Sequence, residues 1–141
     1  MLITHGEIIP GIKLGDIRLG ITKKELLMFI GKEYIEHRYN QIIEIENAVF
    51  TFKNERLCQI CVTHGFKDAF HNIFIGSTMQ DVQRELGNWE NQGASCSVWQ
   101  PLNYPGICFE LGDYGDDVDD WDEMIAPIEW ICIYEDNTGD E

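Results

Sequence analysis

Cys58 and Cys61 spell C-x-x-C, the spacing at which two thiols can hold zinc or exchange a disulfide. Either chemistry needs the pair at a helix start or in a knuckle, and here it lies in a run that alternates like a strand. Residues three apart on a strand point to opposite faces, so the two thiols are expected to diverge and to be structural. His5, His37, His64 and His71 show no metal-ligand spacing and stand in no recognisable relation to a nucleophile. The glycines of LGDIRLG and FIG precede helix caps without the Lys of a phosphate loop or the longer nucleotide fingerprint. DDVDDWDE, residues 116–123, doubles its acids without the alternating ligands, central glycine and terminal glutamate of an EF-hand loop, so a calcium-dependent module is the weakest reading. The expectation is a protein that is not an enzyme and has no catalytic residue, cofactor or metal.

What remains is charge. The stretch ELGDYGDDVDDWDE, residues 110–123, holds eight carboxylates and no Lys or Arg. Residues 1–84 carry ten acids and ten bases, so the whole net charge of −15 arises beyond Arg84. Such a chain, with a pI near 4.4, is a poor partner for nucleic acid or an anionic membrane, whose phosphates need a basic surface. It favours a basic protein partner. Tyr114 and Trp121 lie inside the acidic run, although disordered acidic segments are poor in aromatics. Carboxylates that attract at long range, set around a few aromatic anchors, have the composition of a protein-binding surface. The expected partner-binding residues are Asp113, Tyr114, Asp116, Asp117, Asp119, Asp120, Trp121, Asp122, Glu123 and Trp130.

These residues must be positioned by a scaffold that occurs twice. In IRLGITKKELLMFIG, residues 17–31, Thr22 and Glu25 form a capping box and Gly31 ends a helix of about two turns. IFIGSTMQDVQRELG, residues 73–87, repeats the arrangement, matching Gly20 with Gly76, Thr22 with Thr78 and Gly31 with Gly87. Met79, Val82 and Leu86 share a helical face. The first copy has Met28 and Phe29 where the second has Arg84 and Glu85, which predicts a helix covered on more of its circumference.

Period-two alternation follows each helix and predicts a β-hairpin. In the first copy Ala48, Phe50 and Phe52 share a face, and Cys58, Ile60 and Val62 alternate with Leu57, Gln59 and Cys61. GICFE aligns with AVFTF at an offset of 58 and IEWICIY with LCQICVT at an offset of 71, so the second hairpin loop has gained about thirteen residues, the acidic run. Long loops inside compact domains are usually functional or disordered. The second alignment sets Trp130 at the position of Gln59, facing outward.

The fold class expected is α+β: two tandem helix-plus-hairpin repeats sharing one antiparallel sheet with the short helices packed on it. Residues 1–141 read as a single domain of two repeats, about 12–66 and 67–136. No run approaches the roughly 20 apolar residues of a membrane span, the N-terminus lacks a basic-then-apolar leader, and the five cysteines lie in apolar alternating stretches. A cytoplasmic protein is expected.

The doubled signal, LGIT with FIG and IGST with ELG, resembles the tandem module of beta-lactamase inhibitor proteins and of the small lipoprotein of the outer-membrane barrel assembly machine. The opening IIPGIKLGDIRLGITKKEL, the close APIEWICIYED, the small size and the acidic surface resemble cytoplasmic immunity proteins of bacterial polymorphic toxin and contact-dependent growth inhibition systems. That resemblance implies a tight inhibitor of one cognate toxin domain, most often a basic nuclease. The alternative is a cytoplasmic adaptor or inhibitor that holds some other basic protein.

Overall fold

The computed structural model describes residues 2–37, 41–91, 98–112 and 122–135. Among them the chain forms eleven strands and two short helices. Strands β1 (Ile8–Ile9), β2 (Lys13–Leu14) and β3 (Ile17–Arg18) make a small antiparallel sheet. Helix α1 (Lys23–Ile30) precedes β4 (Ile35–His37), β5 (Ile42–Ile45), β6 (Ala48–Lys53) and β7 (Arg56–Val62), and α2 (Met79–Leu86) precedes β8 (Trp89–Asn91), β9 (Val98–Pro101), β10 (Ile107–Leu111) and β11 (Ile128–Tyr134). The last eight strands form one antiparallel sheet in the order β4-β5-β6-β7-β11-β10-β9-β8.

This architecture overturns the α+β expectation of two helix-plus-hairpin repeats. The molecule is predominantly β, in two sheets, and each helix leads into four strands instead of a hairpin. The reason lies in the edges. β4 is exposed along its whole length and β8 nearly so, so neither carries the alternation by which a half-buried strand is read. The two-residue strands of the N-terminal sheet are too short to carry any period.

The helix ends follow from their residues. Thr22 accepts from the Glu25 amide at 3.2 Å while the Glu25 carboxylate accepts from the Thr22 amide at 3.0 Å. Thr78 and Asp81 do the same at 3.3 and 2.9 Å. Gly31 (φ 79°, ψ −148°) and Gly87 (φ 90°, ψ −153°) close the helices in a region that only glycine occupies cheaply. Each helix is joined to the sheet by the same two bonds. Gly20 N–H donates to Leu57 O and Leu57 N–H to Ile21 O, and Gly76 N–H donates to Ile128 O and Ile128 N–H to Ser77 O.

Leu26 and Ile30 from α1 and Met79, Val82 and Leu86 from α2 enter one core with Phe50, Ile60, Val62, Phe109, Ile131 and Ile133 from one face of the large sheet. Each such side chain stabilises the fold by about 1.5–3 kcal/mol. The expected cover over Met28 and Phe29 is not there, since they are 82% and 44% exposed. Asn47, buried among apolar neighbours, accepts from the Ile3 amide at 2.9 Å and donates to the Ile3 carbonyl at 2.7 Å, tying the N-terminal segment to the start of β6. Gly11 N–H donates to Gly106 O where the small sheet crosses the start of β10.

Two further corrections concern register. Phe50 pairs with Ile60 and Phe109 with Ile131, so β10 matches β6 at an offset of 59, not 58. A slip of one residue exchanges the faces, burying Phe109 in the core and turning Cys108 to the other side. In β7 the pairs Phe52–Leu57 and Thr51–Gln59 leave Cys58 bulged, and in β11 the pairs Leu111–Ile128 and Glu110–Trp130 leave Glu129 bulged. The bulge puts Leu57, not Cys58, in the core with Ile60 and Val62. No helix among the described residues is long and apolar enough to cross a membrane.

Candidate functional site

Of the expected partner-binding residues, Asp113, Tyr114, Asp116, Asp117, Asp119, Asp120 and Trp121 lie outside the described residues. β10 ends before the acidic run and β11 begins after it, and Gly112 N–H donates to Pro127 O at 2.8 Å. Asp122 organises the returning turn. Its Oδ1 accepts from the Met124 amide at 2.9 Å and its carbonyl from the amides of Ile125 and Ala126 at 3.1 and 2.9 Å. Glu123 Oε2 accepts from Trp99 Nε1 at 2.8 Å, and Trp99 belongs to the buried core. Both acids therefore have a local structural task.

Trp130 stands elsewhere. It lies on the face of the large sheet away from the core, half-buried with Val98 and Tyr134 against Cys61, Cys108 and Cys132. Glu123, bonded to the core tryptophan Trp99, and the outward Trp130 thus belong to opposite sides of the sheet.

The topology turns the lopsided sequence into a lopsided surface. Because β8 to β11 are contiguous in the sheet, Glu90, Glu110, Glu129 and Glu135, with Asp122 and Glu123 in the return turn, gather on one half of the molecule, while every Lys and Arg belongs to the segment ending at Arg84. Arg84 itself is engaged by Asp81 at 2.7 Å. Glu110 faces Trp130 across the β10–β11 ladder, so carboxylate and indole are neighbours on the open face.

That face also carries residues that the sequence reading did not select. Cys108 pairs with Cys132 and Cys132 with Cys61, so three thiols line up across β10, β11 and β7. The Cys61 and Cys132 sulfurs and a Glu110 oxygen all lie within 4.8 Å of one another. Cys132 Sγ donates to Glu110 Oε2 at 3.6 Å, and Gln59 Nε2 donates to Cys61 Sγ at 3.3 Å. Contact with the Cys108 and Cys61 sulfurs, then burial, pushes the Cys132 thiol well above the usual range. The C-x-x-C pair does not act together, because Cys58 is bulged and half-exposed between Lys53 and Glu135, its thiol raised first by burial and then by Glu135. The alignment of ICI with ICV makes Cys61 and Cys132 equivalent but carries no sign of their pairing or of Cys108.

A groove of about 610 Å³ is lined by Thr22, Lys23, Lys24, Gln41, Phe52, Asn54 and Glu55, at the other half of the sheet from β8–β11. His37 bonds Glu44 at 2.9 Å, and His71 stacks beside Phe70 and Tyr104. No protein family, curated protein or solved structure matches this chain.

Proposed function

We propose that this chain is a bacterial immunity protein that binds and neutralises one cognate toxin domain, a basic nuclease, through the acidic half of its sheet. The observation that carries the reading is the gathering of carboxylates on β8–β11 and in the turn before β11, in a half of the chain with no Lys or Arg after Arg84, beside half-buried aromatics on the sheet face away from the main core. Long-range charge raises encounter with a basic partner, and Trp130 and Tyr134 supply contact area that can be desolvated. Inhibition by occupancy requires no turnover and no cofactor. The reading places the protein in the cytoplasm, where it would meet a delivered toxin.

The test is co-expression with the product of the neighbouring toxin gene, followed by co-purification and a growth-protection assay. A stoichiometric complex together with protection supports the proposal. A complex with a different basic protein and no protection supports the adaptor reading instead, and neither complex nor protection sinks both.

A further inference from the structure

The row of thiols is buried on the face of the sheet away from the main core. The core lies on the other side of the sheet, and Cys61, Cys108 and Cys132 form a separate cluster beneath Val98, Trp130 and Tyr134. A carboxylate reaches into that cluster. Glu110 is half-buried and meets the Cys132 thiol, which is a weak donor for an anion. No Lys or Arg occurs after Arg84 to balance it in its own half of the chain.

From this geometry we infer a binding site for one thiophilic divalent metal ion of the zinc class, with Cys61, Cys132 and Glu110 as ligands and the fourth position left to solvent. A tetrahedral zinc ion with bonds of about 2.3 Å to sulfur and 2.0–2.2 Å to oxygen holds its ligand atoms roughly 3.5–3.8 Å apart. Cys132 Sγ and Glu110 Oε2 already stand at 3.6 Å, and Cys61 Sγ lies within 4.8 Å of both, so closure requires side-chain rotation and no change in strand pairing. Mixed sulfur and carboxylate donors favour zinc over cuprous copper, which takes sulfur alone, and over calcium, which takes oxygen alone. Each coordinated thiol gives up its proton, so two thiolates and one carboxylate around a divalent ion leave the site with the same single negative charge that the carboxylate carries alone. The site depends on cross-strand register at β7, β11 and β10, not on C-x-x-C spacing, and it departs from the expectation of a metal-free protein. It is independent of the toxin-binding reading.

The test uses the full chain, purified reduced and metal-free, titrated with cobalt(II). The expected result is a thiolate-to-cobalt charge-transfer band with the visible bands of a tetrahedral site, saturating at one cobalt per chain and abolished by one equivalent of zinc. Cys132→Ser should remove the band, Glu110→Gln should weaken binding by at least about tenfold while keeping the charge transfer, and Cys58→Ser should leave both unchanged. Should Cys132→Ser not fold, alkylation of the parent, read cysteine by cysteine, decides the matter. One equivalent of zinc should protect Cys61 and Cys132 but not Cys58. Absence of the cobalt band in a fully reduced parent, its survival in folded Cys132→Ser, or equal alkylation with and without zinc would overturn the proposal.

Discussion

Cys61 and Cys132 stand directly opposite one another in the ladder that joins β7 to β11, and they are also equivalent positions of the recurring sequence. Ile60 faces Ile133 and Val62 faces Ile131 on either side of them, so a local two-fold axis passes through the cysteine pair. The two strands meet much as an isologous interface does, each presenting its equivalent positions to the other, with Val62 where the second strand has Ile133. Any substitution at this pair acts on both halves at once.

Charge on the acidic run should govern encounter with the toxin. Replacing Asp116, Asp117, Asp119 and Asp120 with Asn is expected to slow association at low salt by roughly tenfold or more and to flatten its salt dependence. Stopped-flow measurement over a range of ionic strength tests this, and an unchanged rate would move the inhibitory surface elsewhere. The same variant should be at least as stable as the parent, because crowded like charges repel.

Trp130→Ala should act on dissociation. Loss of a half-buried aromatic anchor is expected to cost on the order of 2 kcal/mol of binding, seen as a faster off-rate with the salt dependence preserved. An off-rate equal to that of the parent would exclude the open face around Trp130 from the interface.

Asn47→Ala should destabilise the free protein by about 2 kcal/mol or more, because it orphans both the amide and the carbonyl of buried Ile3. Denaturant unfolding measures the loss. A change under about 0.5 kcal/mol would mean that water satisfies those groups and that the N-terminal segment is not held by Asn47.

Gly106→Ala should be more damaging. Gly106 has φ 93°, and an added Cβ would fall 2.5 Å from the Gly11 nitrogen, a contact with backbone that no side-chain rotation relieves. The expected cost is about 3 kcal/mol or more, from strain and overpacking together. A well-folded variant within about 1 kcal/mol of the parent would show that the crossing can open.

The helix caps predict a pH dependence. The Thr22 amide and hydroxyl hold Glu25 below its ordinary 4.5, and the Thr78 amide, with help from Arg84, holds Asp81 below 3.8. Their lowered folded values stabilise the protein fully above those ordinary values, and the contribution fades as pH falls through the folded ones. Asp81→Ala should cost about 0.3–1 kcal/mol at neutral pH and progressively less below about pH 4. Unfolding curves at pH 7 and pH 3 test this, and an undiminished cost at pH 3 would contradict the carboxylate's part in the cap.

By itself the sequence determined the features that fit inside a short window. The capping boxes at Thr22 and Thr78, the glycine stops, the strands around Phe50 and Ile131, and the confinement of net charge beyond Arg84 are local properties of composition and period. Tertiary structure decided what depends on which strand meets which. β4 and β8 join the sheet by backbone pairing without apolar alternation, and β5 and β9 alternate over only four residues each, so four-stranded halves were read as hairpins. A single bulged residue, Cys58 or Glu129, reverses every face on one side of it, and a one-residue slip in β10 separates Cys108 in the core from Cys108 beside Cys132. The acidic residues of the candidate surface were legible because charge is carried in composition. The row of Cys61, Cys132 and Cys108 was not, because cross-strand register is a relation between residues far apart in the chain, and only the folded sheet sets it.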